Sequence, residues 1–557
     1  MMQFRRGDMW TGAVSRSGRS AAEPWPLPER FNMGVACSDC HEPATLAVVD
    51  LDGRGIRREF TFGELSSTSN QLGNRLRRAG LYIGDKVSII LPQCVETAIA
   101  HLATYKIGAV AVPISHLLDD EQVCQRVMDS GTRAVVTDTR HAGLVAALEG
   151  IDVLVVDGPA SDDRDFWSAV RSSSPLLEAA DTTPDSPAAL LYTSGTTGRP
   201  KAALHGHRVL LGHLPGFEMA HNGFPRADDI FWTPADWAWI GGLLDALLPV
   251  LYHGRTIVAT RGPFDPDDAV RIMASEKVRN VFLPPRELQL MRAAGVDSPM
   301  VNLRTMMSGG EHLPPDLVQW ANQSFGTSVN EIYGQTEANY IVGNSEVWAK
   351  RAGSMGRAYP GHEVEILDGD GLPISVGQVG EIAVRSTSPV VFMQYWGQPE
   401  ATRNKFTPNR EWLLTGDLAI RDGDGYFWYA SRHDDVIEVD RYRISPSEIE
   451  ACIASHPAVR SAAVVGVPGE SSHPAIVAYA VLSPGVAPGP AVEAEILRLV
   501  NENYPARVSP AGIEFVPALP MTDTGKIRRR ELRDRLAAGR DGRNAAVPQQ
   551  NHPSINP

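Results

Sequence analysis

The stretch LLYTSGTTGRPKAALHGHR, residues 190–208, sets an apolar run directly against a loop of small hydroxyl and glycine residues that closes on a lysine. The apolar start reads as a buried strand. The loop carries Ser194, Gly195, Thr196, Thr197 and Gly198 before Lys201. Glycines let backbone N–H groups close around phosphate oxygens, hydroxyls add donors, and a lysine supplies charge. The spacing is not that of the ordinary P-loop, which runs G-x-x-x-x-G-K-[ST]. A strand feeding a phosphate loop points to an α/β fold that binds a phosphorylated ligand.

The text before this stretch supports that reading. DKVSIIL (85–91), GAVAVPI (108–114), RAVVTD (133–138) and IDVLVVDG (151–158) are short apolar strands. CVETAIAHLATYK (94–106), DDEQVCQRVMDSG (119–131) and HAGLVAALEG (141–150) lie between them with helical spacing. Alternation of this length predicts crossover units and parallel sheet, covered on both faces. From about 360 to 430, HEVEILDGDGLPISVGQVGEIAVRS and its continuation predict turn-rich hairpins. After 431 a compact α+β segment is expected. It contains a helix at SPSEIEACIASHP (445–457), strands at SAAVVGV and AIVAYAVL, and a helix at AVEAEILRLVNEN (491–503). The expected organisation is a large domain over 28–430, a small mobile one over 431–540, and a polar tail over 541–557 that reads as disordered.

The chain has 557 residues, too many for one ordinary core, and a formal net charge of −14. That charge argues against a generic nucleic-acid binder, and the basic run KIRRRELRDR (526–535) alternates with acids. No apolar run reaches the roughly 18–20 residues that span a membrane, and no signal peptide is visible, so the cytoplasm is the expected location. CSDCH (37–41) has the spacing of covalent haem attachment, but no second cysteine pair completes a metal site. It reads better as a loop or helix start. His205 and His207 read as packing residues.

Further motifs follow the phosphate loop in order: SGGEHLPP (308–315), EIYGQTEAN (331–339), LLTGDLAIRDGDGYFWYASRHDD (413–435), RYRISPSEIE (441–450) and LPMTDTGKIRRREL (519–532). With them the chain resembles the adenylate-forming superfamily from about residue 28 to 537. Among its subgroups the text is most similar to the medium-chain and aryl acid–CoA ligases. The resemblance implies that a carboxylic acid is joined to AMP, with release of pyrophosphate, and then passed to CoA. ATP, Mg2+ and CoA are the implied ligands. Thr193, Ser194, Gly195, Thr196, Thr197, Gly198 and Lys201 would cradle the β- and γ-phosphates. Thr336 would meet the α-phosphate, and Glu337 would help hold magnesium. Gly310, Glu311, His312 and Tyr333 would border the adenine. Asp417 would accept from the ribose hydroxyls, Arg432 would lie at the ribose, and Arg443 would reach the phosphates. Lys526 would bridge the carboxylate and the α-phosphate, and Asp434 would be the hinge.

Two positions depart from the pattern. Ser431 and Arg441 stand where these ligases usually carry glycine, and the second borders the pantetheine channel. Arg286, in PPREL, stands beside the expected acyl pocket. Arg441 keeps two alternatives open beside the CoA ligase: an adenylating enzyme that serves another nucleophile (an amine, a carrier thiol), and a non-catalytic nucleotide binder. Acetate-specific relatives carry a tryptophan where this chain has Gly334, so a deeper pocket is expected. Trp237, Trp239, Asn339 and Tyr340 are its expected lining, suited to an aryl or medium-length acid. The oligomeric state is left open.

Overall fold

The computed structural model describes residues 25–53, 55–159, 164–193, 200–296, 300–311, 313–435, 437–439, 442–444, 446–467, 475–504, 509–521 and 527–541. By compactness the chain divides into two units. The larger is drawn from residues up to 428, and the smaller from residue 429 onward together with 416–419.

Seven strands of the larger unit form one sheet. Their order is Gln394–Tyr395, Lys201–Gly206, Pro187–Thr193, Val110–Pro113, Lys86–Ile90, Thr132–Thr137 and Asp152–Val155. The five from Pro187–Thr193 onward are mutually parallel, as the alternating text predicts. Their crossover helices include Val95–Lys106, in which every residue is buried. Helix Asp120–Ser130 starts on an Asp119 cap and ends at Gly131 in the left-handed region, φ +69°.

A second, thirteen-stranded sheet has a parallel centre and antiparallel flanks. Leu46–Leu51, Thr256–Thr260, Ile230–Trp232, Asn280–Phe282, Thr305–Gly309 and Val329–Gln335 run parallel. Beyond them lie Ala338–Gly343, Gly356–Ala358, Tyr426–Arg432, Trp412–Arg421, Val379–Arg385 and Val364–Leu367. The last four are the β-rich section expected after residue 360. Core residues between the layers include Leu102, Leu191, Phe217, Leu247 and Ile257.

In the smaller unit, strands Val459–Val467, Ala475–Leu482 and Ile513–Phe515 form one sheet. Helices Pro446–Ala454 and Pro490–Asn503 cover it through Ile449, Ile453, Ile496 and Val500. Among the described residues no helix is long and apolar enough to cross a membrane. The tail from 542 lies outside the described residues.

Candidate active site

One antiparallel pair, Pro187–Thr193 with Lys201–Gly206, flanks residues 194–199 on both sides. Thr193 lies opposite Lys201, and its Oγ1 donates to the Lys201 carbonyl at 3.3 Å. The described residues that flank 194–199 are therefore side by side. Ser194, Gly195, Thr196, Thr197 and Gly198 themselves lie outside the described residues. The short strand Gln394–Tyr395 pairs with Lys201–Gly206 and brings Tyr395 beneath the lysine, whose Nζ is 5.3 Å from the ring centroid. The Tyr395 hydroxyl donates to Oε1 of Glu337.

Thr336 and Glu337 form the two-residue tip of the hairpin joining Val329–Gln335 to Ala338–Gly343. That tip is anchored on both sides. His205 Nε2 donates to the Thr336 carbonyl at 2.8 Å, and the Phe392 amide donates to the Glu337 carbonyl at 2.8 Å. Burial pushes the His205 pKa down to about 4. The imidazole is therefore neutral, with its proton on Nε2. At the base of the tip, Lys405 Nζ donates to Gln335 Oε1 and to the Thr415 carbonyl, each at 3.0 Å. Thr193, Lys201, Thr336 and Glu337 thus share one corner, as their expected roles require. Tyr395, Lys405 and the positioning role of His205 were not visible in the sequence.

The adenine-side residues also come together. Gly309 is in register with Ile332, which sets Gly310, just past the end of its strand, beside Tyr333 of the adjacent parallel strand. Gly310 has φ +90°, and nothing stands where a Cβ would be. The backbone angle, not crowding, asks for glycine there. Glu311 is half-buried, and His312 lies outside the described residues.

In the smaller unit Asp417 is buried, and Arg432 Nη1 donates to its Oδ1 at 3.0 Å. The Tyr429 hydroxyl beside them is pushed well up by burial and by the Asp417 charge. Arg529 holds Glu450 through both carboxylate oxygens, at 2.7 and 2.9 Å, and reaches Asp435 at 3.2 Å. Lys526 and Arg441 lie outside the described residues; for Asp434 and Arg443 only the backbone is described.

The expected acid-pocket residues separate. Trp239 is half-buried. Trp237 is wholly enclosed in the main core and is a packing residue. Tyr340 is wholly enclosed too. Its φ of +59° belongs to the left-handed region, a strained state for a tyrosine. It closes a bulge: between the Tyr333–Val342 and Gln335–Ala338 pairs, Gly334 faces Asn339, Tyr340 and Ile341. The ring then fills the core beside His213 and Tyr359. The room at Gly334 is taken by Asn339, whose Oδ1 would lie 2.4 Å from a Cβ there. Its missing side chain therefore does not by itself deepen the pocket. Arg286 is exposed on the helix Pro285–Ala293.

In the larger unit the donor set fits phosphates: Lys201 with the hydroxyls of Thr193 and Thr336. It also fits magnesium of the kind that rides on phosphates. Such an ion keeps its waters and takes one or two carboxylates, and Glu337 offers Oε2 while Tyr395 fixes Oε1. An all-protein metal cage does not fit, since the described residues contain no group of three or more His, Cys, Asp or Glu that could hold one.

Known proteins resemble the chain in sequence and in fold. The chain is 31% identical over 493 residues to an uncharacterized acyl–CoA ligase of Bacillus subtilis, covering 87% of this chain and 92% of that one. Among solved structures, an anthranilate CoA ligase in complex with anthranoyl-AMP matches with TM-score 0.83 and 28% identity, over 94% of this chain and 100% of that one. The amide bond synthetase McbA of Marinactinospora thermotolerans matches with TM-score 0.78 and 26% identity, over 90% and 99%. The family model described as AMP-binding enzyme covers residues 39–396, and that described as AMP-binding enzyme C-terminal domain covers 448–526. With its motifs in order and its hairpin and phosphate strands in one corner, the chain belongs to the AMP-binding enzyme family.

Proposed function

We propose that the protein is an AMP-forming acid–CoA ligase acting on an aryl or medium-length carboxylic acid. In the first step a carboxylate oxygen attacks the α-phosphorus of ATP, and the bond to the pyrophosphate oxygen breaks. In the second, the CoA sulfur attacks the acyl carbon and AMP leaves with the electron pair of the C–O bond. Like charges oppose the first step, so fixed donors and cations at the reacting oxygens lower its barrier.

Lys201 and the Thr193 strand end hold the distal phosphates. Thr336 meets the α-phosphate, and its backbone is kept still by His205. Glu337, oriented by Tyr395, is the carboxylate for magnesium, which when bound neutralises the leaving pyrophosphate. Asp417 with Arg432 takes the ribose. Lys526 carries the charge that bridges the two reactants, and the domain hinge lies at Asp434. The observation that carries this reading is the Lys201–Tyr395–Glu337 arrangement at the foot of the phosphate segment. The likeness to an anthranilate CoA ligase supports an aryl acid.

A second reading has a specific basis. Arg441 stands where CoA ligases carry glycine, and an amide bond synthetase is among the matching structures. In that reading an amine takes the acyl group. Acid-dependent exchange of labelled pyrophosphate into ATP, followed by mass spectrometry of products with CoA or with an amine, tests both. Thioester is expected with CoA. Adenylate turnover that ignores CoA and responds to an amine would overturn the ligase, and no exchange with any acid would overturn acid activation.

A further inference from the structure

One buried carboxyl beside the acid-binding region has no part in the chemistry above. Asp245 lies on the single π-helical turn Leu243–Leu247, with only 4% of its side chain exposed. Its Oδ1 accepts from the Asn339 amide at 2.6 Å. Asn339 is three residues beyond Thr336, so Asp245 is one side chain removed from the hairpin of the adenylation site. Among the described residues no hydrogen bond reaches Oδ2.

The neighbouring groups are acceptors as well. His213 Nε2 stands 3.8 Å from Asp245 Oδ1, too far for a hydrogen bond, and has no other partner. The His213 Nδ1–H donates to the Val209 carbonyl at 2.7 Å, which leaves Nε2 as a bare lone pair. The Tyr340 hydroxyl is turned onto the Met307 sulfur. A buried carboxyl oxygen and a buried imidazole nitrogen left without partners are costly unless something bonds to them.

Gly241 lies beside Oδ2 of Asp245. It is half-buried, one helical turn before Asp245. A Cβ on it would come 3.0 Å from the Phe282 ring and 3.7 Å from Asp245 Oδ2. Glycine at this position lets the Phe282 ring and the Asp245 carboxyl approach the backbone closely, where a side chain would be crowded.

We propose that Asp245 is a specificity-determining residue that receives an amino substituent of the acid, with the ring or chain of the acid lying along Gly241 and Phe282. This rests on the acid-activating reading above. Burial also holds the Asp245 carboxyl well above the usual carboxylate range, and a cationic nitrogen beside it would offset that. A site built to bond a donor rejects the isostere that lacks it, because its own groups are then left unpaired.

The test compares acids of equal size: the three aminobenzoates against the three toluates, and 6-aminohexanoate against heptanoate. Pyrophosphate exchange gives kcat/KM, and calorimetry on the wild-type protein gives binding. At least one amino acid of the set should exceed its methyl partner by about 10-fold or more. In Asp245→Asn, where the side-chain carbonyl can still accept from Asn339, that ratio should fall toward one. Equal kcat/KM and equal binding for every pair in the wild type would overturn the assignment, as would a preference that Asp245→Asn leaves intact. Amino-selective binding without exchange for any acid would remove the acid-activating reading and keep Asp245 as the amine site.

Discussion

At the scale of single residues, Tyr395 is the most informative addition to the sequence reading. Its hydroxyl fixes one oxygen of Glu337, and its ring lies under Lys201. Tyr395→Phe keeps the ring and removes only the hydrogen bond, which is worth about 1.5–3 kcal/mol when the acceptor is charged. The Mg2+ concentration for half-maximal pyrophosphate exchange should rise several-fold, with little change in the KM for the acid. An unchanged Mg2+ dependence would show that Glu337 needs no such support. The sequence hid this contact for a plain reason. Tyr395 is nearly sixty positions past Glu337, and it arrives through a two-residue strand with no periodicity to notice. Asp245 was hidden for another: one acid in the apolar text LLDALL looks like a stray polar residue until Asn339 is seen to bond it. Thr336 and Glu337, by contrast, were singled out because the motif EIYGQTEAN resembles one of the family's nucleotide motifs.

At the scale of elements, the hairpin Val329–Gly343 positions most of the site through its irregularity. Ideal pairing continued from Gln335–Ala338 would set Tyr333 against Tyr340, whereas two extra residues set it against Val342. The bulge sends Asn339 over Gly334 and Tyr340 into the core. Gly334→Ala should break this arrangement, since its Cβ would meet Asn339 Oδ1 at 2.4 Å and the Tyr340 backbone nitrogen at 2.7 Å. Backbone cannot yield as a side-chain end does. A loss of about 1–3 kcal/mol in stability is expected, seen as a lower Tm, with a larger fall in exchange activity as Thr336 shifts. A variant with wild-type Tm and rate would mean that the bulge is soft. The parallel strands and their crossover helices were readable from alternation alone, because burial on both faces forces apolar text. The bulge was not, because its cause is the fit of Asn339 to Gly334, a contact across the hairpin.

At the scale of the whole molecule, a set of neutral histidines ties stability to pH. Burial lowers the pKa of His101, His207, His213, His221, His253 and His362 to about 3. His205 is lowered to about 4. In the unfolded chain each titrates near 6.5. Between those values the unfolded state binds more protons, so stability is complete above about pH 6.5 and is lost as pH falls. Each group costs about 1.4 kcal/mol per pH unit in that window. Acting together they approach the roughly 5–15 kcal/mol that holds a typical protein folded. Near-UV circular dichroism should show cooperative unfolding at about pH 5, and native spectra persisting to pH 4 would contradict this account.

The thirteen-stranded sheet has a consequence for how the chain is made. Val48 lies beside Ile257, while the parallel strands of the other sheet are complete once residue 193 has been synthesised. On the ribosome the smaller sheet can close in the order in which it emerges. The strand Leu46–Leu51 cannot. It comes out early, pairs with Arg57–Thr61, and then waits with its other edge bare until Thr256–Thr260 arrives. Unpaired edges of this kind are where nascent chains associate wrongly. The order of translation therefore favours one half of this architecture and exposes the other, and the exposed half is the one that carries the hairpin of Thr336 and Glu337.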